Sequence, residues 1–160
     1  LYGAFPTDPY SHTPRHTGVQ QPGMTGQVKE DIISRFGELG VCVRKGKISF
    51  HPDLILGSEF LNQSSVFDYY NVDNEKQTLM LCPGMIGMTF CQIPIIYICS
   101  DEKKIIVTFK DGSEITAAGY QLNRDLCDLV FRRRNKIIKI QVLLCNDEAA
   151  STQGFERRET

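Results

Sequence analysis

Residues 39–54 read LGVCVRKGKISFHPDL, and the fold turns on this stretch. Val41-Cys42-Val43 and Ile48-Ser49-Phe50 are short β-prone runs. Between them lies the polar turn Arg44-Lys45-Gly46-Lys47. Two such runs around a glycine-containing turn predict a hairpin. His51-Pro52-Asp53 ends it, because proline cannot donate to a strand ladder. Gly40 stands in front, where a glycine can adopt the left-handed conformation that stops a helix.

The residues before Gly40 have a different period. In residues 25–39, Val28, Ile32, Phe36 and Leu39 recur at helical spacing, and Ile33 widens the stripe. The spacing predicts a connecting helix over residues 25–40. Residues 1–24 hold Pro6, Pro9, Pro14 and Pro22 with Gly3, Gly18 and Gly23, and they read as irregular chain. Residue 1 is Leu rather than Met. We expect a piece of a longer protein whose first 24 residues come from a preceding domain.

After residue 54 the strand signals continue. Residues 65–70 and 78–82 are strand-like on either side of a polar turn. Residues 87–99 form a long apolar, β-rich run in which Pro94 marks an edge or a bulge. Residues 104–110, KIIVTFK, and 114–117 flank Asp111-Gly112, a hairpin signal. Residues 129–132 and 136–144 read as a last hairpin with Arg133-Arg134-Asn135 at its tip. One helix followed by many closely spaced strands predicts a mainly β chain: an antiparallel β-sandwich over residues 41–145. Residues 146–160 lack apolar periodicity and are expected to form a flexible tail.

Composition narrows the function classes. A chain of 160 residues can bury roughly two thirds of its unfolded surface, so it needs no metal or disulfide to fold. The net charge of -1 argues against a nucleic-acid partner bound through a basic field. The run Arg132-Arg133-Arg134 with Lys136 and Lys139 reads as a solvated turn. No apolar stretch is long enough to span a membrane. The six cysteines contain no C-x-x-C pair and mostly sit in apolar runs. They read as small buried hydrophobes in a reducing compartment, which leans towards the cytoplasm. No metal and no cofactor are expected.

Two sets of residues are candidate ligand contacts. His12, Arg15, His16, Gln20 and Gln21 crowd a Pro/Gly-rich loop, where polar side chains on a stiffened backbone suit hydroxyl-rich ligands. The same loop would serve equally for docking through local backbone bonds. Pro14 separates His12 from His16, so the pair does not share a helical face. Tyr69 and Tyr70 in the cluster Phe67-Asp68-Tyr69-Tyr70 could stack on sugars. Alternation along a strand lets Phe67 and Tyr69 share a side and leaves Tyr70 on the other. Glu30, Asp31 and Glu38 are carboxylates on the helix and read as its solvated face. No Ser-His-Asp spacing, G-x-S-x-G or phosphate loop is present, so no catalytic residue is named.

The stretch HTPRHTGVQQPGMTGQVKEDIISRFGELGVCVRKGKISFHPDLI, residues 12–55, resembles the C-terminal part of large bacterial proteins related to glycoside hydrolases and disaccharide phosphorylases. In those proteins an (α/α)6 toroid is followed by a small β-sandwich. Leu39-Gly40-Val41, Gly46, Ile48, Phe50, Pro52 and Leu54 resemble the exit from the last toroid helix into that sandwich. MTFCQIPIIYICSDEKKIIVTFKDGS and NKIIKIQV are similar to its later strands, so the resemblance covers residues 9–145. It implies a non-catalytic accessory domain of a carbohydrate-active parent enzyme whose catalytic acid lies upstream. The partners implied are the toroid of the same protein and, at the loop bearing His12 and Gln20, carbohydrate. Two other classes fit the residues: a free-standing carbohydrate-binding module, and an interaction domain with no sugar ligand.

Overall fold

The computed structural model describes residues 25–145 of the chain, which divides between Gly37 and Glu38. Helix α1 runs Thr25–Glu38, as the apolar spacing predicts. Within it Ile32 and Ile33 are 51% and 70% exposed, so these two stripe positions are not core residues. Gly40 follows with φ of 72°, the left-handed residue that ends the helix.

Strands β1 (Val41–Arg44) and β2 (Lys47–Phe50) pair antiparallel, Val41 opposite Phe50 and Arg44 opposite Lys47. Lys45 and Gly46 both have positive φ, the two-residue turn that matches strand twist. Ile48 and Phe50 are fully buried. Each contributes about 1.5–3 kcal/mol by leaving water. Short 3-10 turns follow at Pro52–Leu54 and Gly57–Glu59. Strands β3 (Ser65–Tyr70) and β4 (Lys76–Leu81) form a second antiparallel hairpin.

The remaining strands are β5 (Met85–Phe90), β6 (Ile93–Ser100), β7 (Lys104–Phe109), β8 (Glu114–Ala118) and β9 (Ile137–Cys145). They make one sheet in the order β5-β6-β9-β7-β8. Helix α2 (Arg124–Phe131) lies between β8 and β9 in the chain. Its eight residues carry the chain back, so that β9 enters between β6 and β7, parallel to β6 and antiparallel to β7.

The register puts Ile95 and Tyr97, Ile105 and Val107, and Ile140 and Val142 on one face. All six are buried in a single core with Ile48 and Phe50 of β2 and with Leu126, Cys127 and Val130 of α2. The edge of β2 is tied to the segment before α2: the Phe50 amide donates to the Tyr120 carbonyl, and the Leu122 amide to that of Ile48. The β3–β4 hairpin covers the other face. A β-carbon at Gly87 of β5 would lie 2.7 Å from Leu81 Cδ1 and 3.3 Å from Phe67, so the missing side chain is what lets the hairpin approach. The sheet thus has a layer on each side, and the protein is mainly β with a leading helix.

Four expectations are corrected. Residues 129–132 are not a strand but the end of α2 and the residues after it. The helix is started by Asn123, whose side chain accepts from the Leu126 amide at 2.9 Å. Arg132–Arg134 therefore follow a helix rather than tip a hairpin, and Arg132 pairs with Asp128 one turn back at 2.7 Å. The run 87–99 is a hairpin, turned at Cys91 and Gln92, both at positive φ. The sheet is mixed, because β6 and β9 are parallel. Finally, Cys82 is exposed, whereas Cys127 is the buried cysteine; all six described cysteines are unpaired thiols.

Pro94 lies inside β6, opposite Thr89. In a hairpin with a two-residue turn the closing pair, here Phe90 and Ile93, exchanges hydrogen bonds and the next pair does not. The missing donor of Pro94 therefore faces the β9 side, where pairing begins only at Ile95.

Candidate functional site

The β3–β4 hairpin is pinned to the sheet at both ends, and a cleft of about 340 Å³ opens between them. At the base, Phe67 and Leu81 pack over Gly87. At the tip, Asn71 builds the turn: its side-chain oxygen accepts from the Asp73 and Glu75 amides at 3.0 and 2.9 Å. This side-chain turn lets Asn74 take a positive φ. Asn135, just before β9, donates to Asp73, and Gln92, in the β5–β6 turn, donates to the Asn71 carbonyl at 3.1 Å. Lys110 Nζ stands 3.9 Å from Asp73.

The cleft walls come from both layers. Tyr69, Gln77 and Leu79 line it from the hairpin, and Pro94, Ile137 and Lys139 from the sheet. Tyr69 stacks on Phe67, ring centroids 5.7 Å apart at 17°, which fixes its plane. Burial pushes the Tyr69 phenol above its ordinary value, so it stays a neutral hydroxyl. Glu75 is the one carboxylate among the described lining residues. An aromatic wall, amides and a fixed hydroxyl, in a volume near the low end of the roughly 300–1,000 Å³ of small-molecule sites, suit binding of a small polar ligand.

The predicted stacking pair is split. Tyr69 faces the cleft, whereas Tyr70 is 58% exposed on the hairpin's outer face with Val66 and Met80. On that outer face Lys76 lies 2.7 Å from Asp68 and Thr78 donates to it at 2.8 Å. Lys76 first and Thr78 second hold the Asp68 carboxyl below its ordinary value. His12, Arg15, His16, Gln20 and Gln21 lie outside the described residues. Gln77 and Gln92 escaped the sequence reading, since only docking of the hairpin brings them together.

Among the described residues, no group of three or more His, Cys, Asp or Glu is placed to hold a metal ion, and no helix is long and apolar enough to cross a membrane. Neither the protein-family models nor the curated proteins contain a match to this chain.

Proposed function

We propose that this chain is the C-terminal accessory β-domain of a carbohydrate-active protein and is not catalytic by itself. The observation that carries the reading is the junction at residues 39–55. Several residues of that stretch seat the β-domain, although Leu54 is exposed. Leu39, Ile48, Phe50 and Ile55 are buried, Gly40 makes the left-handed stop, and the His51 amide donates to the Gly40 carbonyl at 2.7 Å. A helix thus passes into a β-domain through one turn. The exposed Ile32 and Ile33 on that helix give a partner domain an apolar strip to cover.

The test is the size of the polypeptide in its native cells. Antibody against residues 41–145 should detect a protein several times larger than 18.1 kDa. The 160-residue chain should show no hydrolysis or phosphorolysis of aryl glycosides. An 18 kDa native product, or turnover by the isolated chain, would sink the reading.

A second reading, a carbohydrate-binding module, is favoured by one observation. The cleft wall Tyr69 is held flat by Phe67 and lies beside Gln77. The two readings are compatible, because an accessory domain can carry its own sugar site. Binding on a glycan array, lost in Tyr69→Ala, distinguishes a binding domain from a purely structural one.

A further inference from the structure

We infer that the outward face of the β1–β2 hairpin binds a phosphate group, carried either by free phosphate or by a phosphate monoester. Pairing sets Arg44 directly opposite Lys47, and Cys42 opposite Ser49. Neighbours along a strand alternate faces. Since Ile48 and Phe50 point into the core, Arg44, Lys47, Cys42 and Ser49 all point outward. Gln121 bridges to Ser49 from the segment paired to the edge of β2. His51 continues the row, and its Nε2 lies 3.0 Å from Ser49 Oγ. These six side chains line a shallow cavity of about 390 Å³.

Three features point to an oxyanion. The lining has two cations, an imidazole, a hydroxyl and an amide, and no carboxylate. Arg44 and Lys47 have no ion pair among the described residues. Like charges directly opposed across an antiparallel pair are destabilising, so this pair is repulsive until an anion sits between them. The frame is also stiff. The left-handed Lys45-Gly46 turn sets the backbone that carries the two cations, and the buried Ile48 and Phe50 anchor the strand beneath. A guanidinium with a nearby ammonium and hydroxyl supplies the charge-assisted donors that a tetrahedral dianion accepts. This inference does not depend on the accessory-domain reading.

The experiment is an amide NMR titration of the full 160-residue chain with sodium phosphate at constant ionic strength, with sodium chloride as the control. Phosphate should shift the amides of residues 42–51 and 121, and chloride should not. Arg44→Gln with Lys47→Gln should weaken phosphate binding at least about tenfold, the loss expected for charge-assisted bonds of roughly 1.5 kcal/mol or more. The same spectra report whether the double variant is folded, and the single variant Arg44→Gln carries the test if it is not. Arg134→Gln, an exposed arginine elsewhere, should bind as the parent does. Glucose 6-phosphate and glucose form the last arms. Shifts with the ester that equal or exceed those with phosphate identify a monoester site, and shifts with phosphate alone identify a free-ion site. Equal response to chloride, no response, or a response unchanged in the double variant overturns the inference.

Discussion

The Tyr97 hydroxyl donates to the Leu39 carbonyl at 2.5 Å, across 58 residues of chain. Tyr97 is fully buried in β6, an interior strand beside the central β9, and Leu39 lies at the helix-to-strand junction. The bond therefore fastens the start of the β-domain to an interior strand of its sheet. Tyr97→Phe keeps the ring, which meets Phe50 edge-on at 6.2 Å, and removes only the donor. The buried carbonyl then loses its partner, a loss of about 1–3 kcal/mol. Urea unfolding of the two proteins checks this, with an unchanged m-value expected.

Alkaline pH probes the same group. Burial pushes the Tyr97 phenol far above its ordinary value of 10.0. The folded state then binds this proton more tightly than the unfolded state does. The contribution of Tyr97 is undiminished below pH 10 and declines as pH rises past that value towards the folded-state pKa. Stability measured from pH 9 to 11 should fall more steeply in the parent than in Tyr97→Phe. Parallel curves would mean that other groups carry the alkaline loss.

Gly40→Ala tests the junction more severely. The backbone there is left-handed, and an added β-carbon would sit 2.0 Å from the His51 carbonyl oxygen. Backbone cannot move aside as the end of a long side chain can. Strain and clash together should cost roughly 3 kcal/mol or more. Thermal melts check this. At Gly46, also left-handed, nothing lies within 4 Å, so Gly46→Ala meets strain without a clash and should cost less.

The helix stop at Gly40 and the hairpin after it were legible because both are local: period, turn chemistry and glycine are adjacent in sequence. The strand at residues 65–70 and its alternation were legible for the same reason, and so was the sharing of a side by Phe67 and Tyr69. Helix α2 was misread because Leu129-Val130-Phe131 looks like a strand, and the deciding signal is the Asn123 cap six residues earlier. The parallel pair β6–β9 was out of reach, since it depends on where α2 returns the chain. The cleft joins residues 69–79 to Gln92 and Asn135 through the docking of one hairpin, and no spacing encodes that.

Gly87→Val tests that docking. The added side chain would meet Leu81 and Phe67 at the base of the β3–β4 hairpin. Leu81 meets it through a methyl group, which can shift, so the fold should survive with a loss of about 1–3 kcal/mol. The loss should be local. Hydrogen exchange should quicken in β3 and β4 and stay slow in β6 and β9. Uniformly faster exchange across the sheet would show that the hairpin and sheet open as one unit.

Tyr69 and Tyr70 are neighbours with opposite outlooks, so the pair separates ligand binding from packing. Tyr69 stacks on Phe67 and walls the cleft, whereas Tyr70 stands on the far side of the same strand. Tyr69→Ala removes a half-buried ring and should lower stability by about 1–3 kcal/mol, less than a full core truncation. Tyr70→Ala should change stability by less than about 0.5 kcal/mol, because an exposed ring has little packing to lose. If the cleft takes a sugar, Tyr69→Ala and Gln77→Ala should both abolish binding on a glycan array while Tyr70→Ala preserves it. Gln77 matters most in this comparison, since its amide can be removed with the stacked rings left in place. Binding lost with Tyr70→Ala and kept with Gln77→Ala would move the site to the outer face of the hairpin, where Val66 and Met80 flank the exposed ring.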